Sequence, residues 1–173
     1  MADTAVTLSL QSRFRDAMAG VCSPVAVVTS RDGDRPHGTT VSAFMSLSME
    51  PPMIAVALDH GSDLLAAVRA HGRFGVNVLA APQHDLAGAF ARKGAAKFDG
   101  VSWSDSHGVP KLADVAGWVA CEATEFVVGG DHTVLFGTVV EADVGVDRPL
   151  TYFARTFGTH LPHEVPLPQG AVG

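Results

Sequence analysis

The chain has 173 residues, near one domain's worth at about 150 residues per domain. Hydrophobic residues make up 47% against 17% charged, which excludes disorder for most of its length. A net charge of −6 with only three lysines argues against a nucleic-acid binder, whose affinity comes mainly from neutralised phosphates.

In chain order, Leu10–Gly20 reads as a short helix, with Phe14, Ala17 and Met18 on one face and Gly20 as a stop. Cys22 and Cys121 are too few for a disulfide framework, and reduced cytoplasmic thiols are the economical expectation. The opening Met-Ala-Asp-Thr lacks a basic stretch, so no secretory signal is expected. Val25–Ser30 is a β-branched strand, followed by a hairpin turn around Gly33 and a second strand over Gly38–Phe44. The Ser-rich stretch after it reads as a loop, and Pro51-Pro52 keeps the link extended before a third strand, Met53–Leu58. That run is also the longest purely apolar one, far short of the roughly 20 residues a membrane helix needs.

Ser62 is the expected N-cap of a helix to Ala70, with Leu64, Leu65 and Val68 on its inner face. Arg73–Leu79 returns to strand, and Pro82 opens a helix to Lys93 that Gly94 stops. From Trp118 a long strand runs to Gly129-Gly130-Asp131 and returns as Thr133–Glu141, a pair long enough to curve. Pro149–Ala154 gives a last strand. The expectation is one domain over residues 1–161 with a Pro-rich C-terminal arm over 162–173. Strands dominate and do not alternate strictly with helices, which favours a mainly β, Greek-key-like antiparallel barrel with helical decorations.

Common catalytic signatures are missing. No G-x-G-x-x-G, P-loop, H-E-x-x-H, C-x-x-C or G-x-S-x-G stretch is present. His160 and His163 are separated by Pro162, which argues against an aligned metal pair, and no metal ligands are assigned. The chemistry is therefore expected to reside in a bound cofactor.

Three segments stand out. Thr40, Ser42, Ser46 and Ser48 offer short hydroxyl donors and acceptors for a flat polar heterocycle, or form an ordinary Ser-rich turn. Arg92, Lys93 and Lys97 make a basic island without a carboxylate between Asp85 and Asp99. The first two fit a helix C-terminus; Lys97 lies past it, where an anion such as phosphate accounts for it equally well. In Gly129-Gly130-Asp131-His132 the turn needs no function. His132 opening a strand is either satisfied by Asp131 or a carbonyl, or faces a ligand at the rim.

In order and spacing, Phe14-Arg-Asp-Ala-Met, Val25-Ala-Val-Val-Thr, Pro36-His-Gly-Thr-Thr-Val-Ser-Ala-Phe, Ser46-Leu-Ser-Met-Glu-Pro-Pro, Phe74-Gly-Val-Asn-Val-Leu, Lys97-Phe-Asp-Gly-Val, Gly130-Asp-His-Thr and Pro149-Leu-Thr-Tyr-Phe resemble the short-chain flavin reductases. These are the reductase components of two-component flavin-dependent monooxygenases. The resemblance implies an FMN-binding split β-barrel, a homodimer, and FMN (or FAD) with NADH (or NADPH) as co-substrate. It implies that Thr40, Val41 and Ser42 line the flavin ring and that Ser46, Leu47 and Ser48 continue that wall. Asp59 and Ser62 would begin the helix facing the phosphate end, on which Lys97 and Phe98 close. His132 would stand where the nicotinamide arrives. Val41 replaces a common Asn, and Cys22-Ser-Pro replaces a small Thr-Gly pair. The implied activity is hydride transfer from nicotinamide to flavin, with reduced flavin diffusing to a partner monooxygenase. The alternatives are a flavin- or tetrapyrrole-binding module without turnover and an oxidase of a pyridoxal-type substrate, whose wanted basic clusters are missing apart from the Lys97 island.

Overall fold

A computed structural model describes residues 2–94 and 96–162, with side chains from residue 9 onward. His163 and most of the expected C-terminal arm lie outside the described residues. In chain order the elements are helix α1 (Ala2–Ala19), strands β1 (Ser23–Pro24), β2 (Ala26–Asp32), β3 (Arg35–Val41), β4 (Phe44–Met49) and β5 (Pro52–Asp59), then helix α2 (Asp63–His71), β6 (Arg73–Val78), helix α3 (His84–Ala91), β7 (Trp103–Ser106), β8 (Val109–Leu112), β9 (Gly117–Gly129), β10 (His132–Val144), β11 (Leu150–Phe153) and β12 (Thr156–Thr159).

Seven strands form one antiparallel sheet in the order β3-β2-β6-β9-β10-β5-β4. Its two edges, β3 and β4, are joined only by Ser42 and Ala43. A flat sheet of that width would span about 30 Å at 4.7–4.9 Å per strand, which two residues cannot bridge. The sheet therefore curls until its edges approach, and the Ala57 N–H donates to the Ala43 carbonyl at 2.9 Å, carrying the β4–β5 ladder into this link. The result is a split barrel, mainly β and antiparallel as the sequence implied. The long β9–β10 hairpin supplies the curvature: its register slips between Phe136 and Gly137 and again between Val139 and Glu141, and bulges sharpen local twist. β10 then pairs with β5 and β9 with β6.

Leu64, Leu65 and Val68 of α2 join Val28, Val56, Phe74 and Leu135 of the barrel in one apolar cluster. Ala87 and Phe90 of α3 join Val25, Val27, Leu79 and Leu150 in a second. Each fully buried side chain of this size contributes about 1.5–3 kcal/mol. Asn77, fully buried, donates to the Val27 carbonyl at 3.1 Å and accepts from the Leu112 N–H at 2.7 Å. With Thr29 Oγ1 donating to the Pro110 carbonyl at 2.6 Å, it pins the β7–β8 hairpin to the barrel. Gly75 is required here, since a Cβ would lie 2.3 Å from the Trp118 ring. Burial pushes the Cys121 thiol up to about 12, which keeps it protonated.

Several expectations shift. The second strand ends at Val41, and the Ser46–Ser48 stretch read as a loop is strand β4, because pairing with β5 outweighs its hydroxyl-rich turn character. Asp59 closes β5 instead of beginning a helix; α2 starts at Asp63 with Ser62 as N-cap. The helix expected to reach Lys93 stops at Ala91, with Pro82 in a separate 3₁₀ turn. The strands β1, β7, β8 and β12 are additional to those expected.

Candidate functional site

A cleft of about 440 Å³ opens where β3, the β5–α2 turn and the segment after α3 meet. Of the residues singled out in the sequence, Asp59, Ser62, Arg92, Lys93, Lys97 and Phe98 line it. The fold holds them from several directions. Asp59 Oδ1 accepts the Gly61 N–H at 2.7 Å and its carbonyl accepts the Ser62 N–H at 3.0 Å, which turns the chain sharply into α2. Ser62 makes no side-chain cap bond, so its hydroxyl and the first N–H groups of α2 are available, and such groups favour an anion.

Lys97 Nζ donates to the Gly38 and Phe90 carbonyls, each at 3.0 Å. An ammonium has three donors, so one remains for the cleft. Burial lowers the Lys97 pKa from the ordinary lysine value, a shift that the Asp63 carboxylate opposes. Phe98 packs edge-on against Phe90 with centroids 4.9 Å apart, and Gly38 makes room for both rings, since a Cβ there would lie 2.7 Å from Phe90. The Lys97-Phe98 pair thus clasps β3 to α3 while presenting a cation.

The proposed ring wall lies outside this cleft but continues from it, since Thr39 lines the cleft and Thr40 follows on β3. Thr40 Oγ1 donates to the Ala87 carbonyl at 2.7 Å, so its hydroxyl is engaged with α3. Val41 is half-buried and Ser42 exposed. On β4, Ser46 pairs with Ile54 and Ser48 with Met53, leaving Leu47 as an unpaired bulge residue on an edge strand. Bulges of this kind re-aim groups beside active sites, and the strand's outer backbone groups are unpaired donors and acceptors. Ser48 Oγ accepts the Glu50 N–H at 3.2 Å.

His132 pairs with Asp59 across β10 and β5, which puts the imidazole at the rim beside the cleft. Its Nδ1 lies 2.7 Å from Asp131 Oδ1. The hydrogen bond and charge of His132 hold the Asp131 carboxyl below its usual range. An ionised carboxylate only accepts, so Nδ1 carries the proton and Nε2 is left for a ligand. The sequence left two readings of His132 open; the geometry supplies the Asp131 partner that the first of them expects.

Arg35, His37 and Thr39 also line the cleft and were not singled out. The signal for His37 and Thr39 is the Pro36-His-Gly-Thr-Thr stretch, whose candidate site residues begin at Thr40; Arg35 lies just before it. The fit for an anionic group rests on the Lys97 ammonium and the open N-terminus of α2; His37 Nε2, further along β3, is buried with no hydrogen-bond partner among the described residues.

The model of the flavin reductase like domain matches residues 18–160, and the chain belongs to that family. It is 34% identical over 153 residues to the reductase component of 4-nitrophenol 4-monooxygenase/4-nitrocatechol 2-monooxygenase of Rhodococcus opacus, covering 88% of this chain and 83% of that one. It is 38% identical over 155 residues to an NADH:riboflavin 5'-phosphate oxidoreductase of Streptomyces pristinaespiralis, covering 86% and 88%. The NADH:FAD oxidoreductase of Streptomyces globisporus C-1027, solved with NAD and FAD fragments, superposes with a TM-score of 0.84 at 26% identity, covering 90% of this chain and 95% of that one.

Proposed function

We propose that the cleft at Lys97 receives the phosphate end of a flavin, that the Thr40–Ser42 and Ser46–Ser48 segments flank its ring, and that His132 orients an incoming nicotinamide. The chain is an NAD(P)H-dependent flavin reductase that supplies reduced flavin to a partner monooxygenase. The observation that carries this reading is the convergence of Lys97, Ser62 and the α2 N-terminus one strand away from an imidazole fixed by a carboxylate.

When bound together, the nicotinamide supplies a hydride and the flavin accepts it, so no protein nucleophile is needed. The residues' task is positional, which can account for much of an acceleration of this kind. The remaining Lys97 donor, the Ser62 hydroxyl and the Asp63 and Leu64 N–H groups hold the anionic end. Unpaired backbone groups around Leu47 meet the polar edge of the ring, where preorganised dipoles stabilise developing negative charge. His132 Nε2 meets the carboxamide of the nicotinamide.

The working unit is a homodimer. Leu10, Phe14 and Met18 form an exposed stripe on α1, and Met45 and Met49 are exposed on edge strand β4, Met49 at 81%. Exposed apolar surface of this extent marks an interaction site, and a second copy covering β4 would also enclose the proposed ring wall.

The direct test is NADH oxidation by the full chain with and without added FMN or FAD. The expected result is turnover that requires added flavin and scales with enzyme. Tight flavin binding without nicotinamide oxidation would make the chain a binding module and overturn the proposal.

A further inference from the structure

β3 runs along one wall of the cleft like a ruler. Its C-terminal end carries Thr40 and Val41 at the proposed ring wall, and Gly38, whose carbonyl Lys97 holds, marks the phosphate position. Beyond Gly38, away from the ring wall, the cleft continues past His37 to Arg35, about 10 Å further at about 3.3 Å per residue. His37 and Arg35 alternate onto the same face of the strand. Arg92 and Lys93 border the same cleft.

The charge here runs against the rest of the molecule. In a chain of net charge −6, four of the twelve Lys and Arg residues border this cleft, against two of the eighteen Asp and Glu. Among the described residues, no ion pair uses Arg35, Arg92, Lys93 or Lys97. His37 Nε2 is buried without a partner among the described residues, where most buried polar atoms have one. A flavin ending at a single phosphate beside Lys97 leaves Arg35 and His37 unanswered.

Resting on the reading of Lys97 as the phosphate contact, we propose that this chain selects flavin adenine dinucleotide over FMN. Arg35 and His37 take the second phosphate, and the adenosine lies toward Arg92 and Lys93. The cations extend the strand that carries the flavin wall, whereas His132 stands on β10; the charge is continuous with the flavin and not with the nicotinamide dinucleotide.

Equilibrium calorimetry of the full chain with FMN and with FAD, in the absence of nicotinamide, tests this. The wild type should bind FAD about tenfold more tightly than FMN, the scale of a charge-assisted contact. Arg35→Ala and His37→Ala should each remove most of that difference, while FMN affinity stays within about twofold, a change of under 0.5 kcal/mol, and so reports that the variants fold. Equal wild-type affinities, or equal weakening of both flavins in the variants, would overturn the proposal and leave the flavin reading intact. Unchanged flavin affinities with a raised KM for NADH would also overturn it, assigning the cations to the nicotinamide dinucleotide. Failure of the wild type to bind either flavin would overturn the underlying reading itself, a result distinct from the others, which all require bound FMN.

Discussion

Around Lys97 the chain folds back on itself, and Gly38, Phe90 and Ser62 converge from three elements on one cation-rich cleft whose members are fixed by internal hydrogen bonds. Around Leu47 the arrangement is the reverse. An edge strand turns unpaired backbone groups outward beside exposed Met45 and Met49, and among the described residues little covers them. In the proposed reading the contrast separates two jobs: one chain completes the anion-holding end alone, while the ring-holding end awaits a second copy. The anion end should therefore respond to single internal changes, and the ring end to the assembly state.

The largest effect is expected from Gly38→Val. Its side chain would press on Phe90 and Phe98, costing about 1–3 kcal/mol as overpacking does, and would displace the carbonyl that holds Lys97. Calorimetry should find flavin binding lost in a protein that still melts cooperatively. Normal flavin affinity in this variant would break the link between the clasp and the cleft.

The double change Phe14→Glu and Met49→Glu should convert a dimer of about 36 kDa, twice the 18.0 kDa chain, into a monomer by light scattering, since a buried charge on each side of an apolar interface is costly. Flavin affinity should fall with it, by about tenfold or 1.4 kcal/mol, because the ring wall loses its cover. A wild type that is already monomeric would remove the second half of the comparison.

At the rim, His132→Ala should lower kcat/KM for NAD(P)H about 5- to 30-fold, the loss of one orienting hydrogen bond of about 1–2 kcal/mol. Flavin affinity should stay within a few-fold. A fall in KM-dependent binding alone would raise KM at constant kcat; misalignment of the rings would lower kcat as well. Unchanged kinetics with a lowered Tm would make His132 a purely structural residue.

A smaller effect is expected from pH. Burial lowers the Lys97 pKa from the ordinary lysine value, and a phosphate binds the protonated ammonium. FMN affinity should therefore decline as pH rises through that lowered value, at a pH where an ordinary lysine still holds its proton. Lys97→Arg, always charged, should remove the decline.

The sequence made some of this visible because its signals are local. The β9–β10 hairpin follows from alternation around Gly129-Gly130, and α2 from Leu64, Leu65 and Val68 on one face after Ser62. What stayed hidden depends on contacts distant in sequence. The β7–β8 hairpin is short, and it is held by Asn77 and Thr29 together with Val109 and Leu112 buried in the core. Ser46–Ser48 reads as a loop until β5 pairs with it. Part of the family-like pattern also proves to be core: Gly75 and Asn77 in the Phe74–Leu79 stretch serve Trp118 and the hairpin. Apart from the family resemblance, Lys97 reads as a charge without a helix to explain it, and Arg35 and His37 give no periodic signal because only the fold brings them to one cleft with the start of α2.

The central claim, that the cleft at Lys97 holds the flavin's phosphate, is tested most directly by comparing riboflavin with FMN on the wild type and on Lys97→Ala. The wild type should prefer FMN by about 10- to 150-fold, the range of a charge-assisted hydrogen bond of about 1.5–3 kcal/mol, and Lys97→Ala should collapse that preference while binding riboflavin as before. Equal affinity of the wild type for riboflavin and FMN, or a preference for FMN that survives the loss of Lys97, would contradict the account.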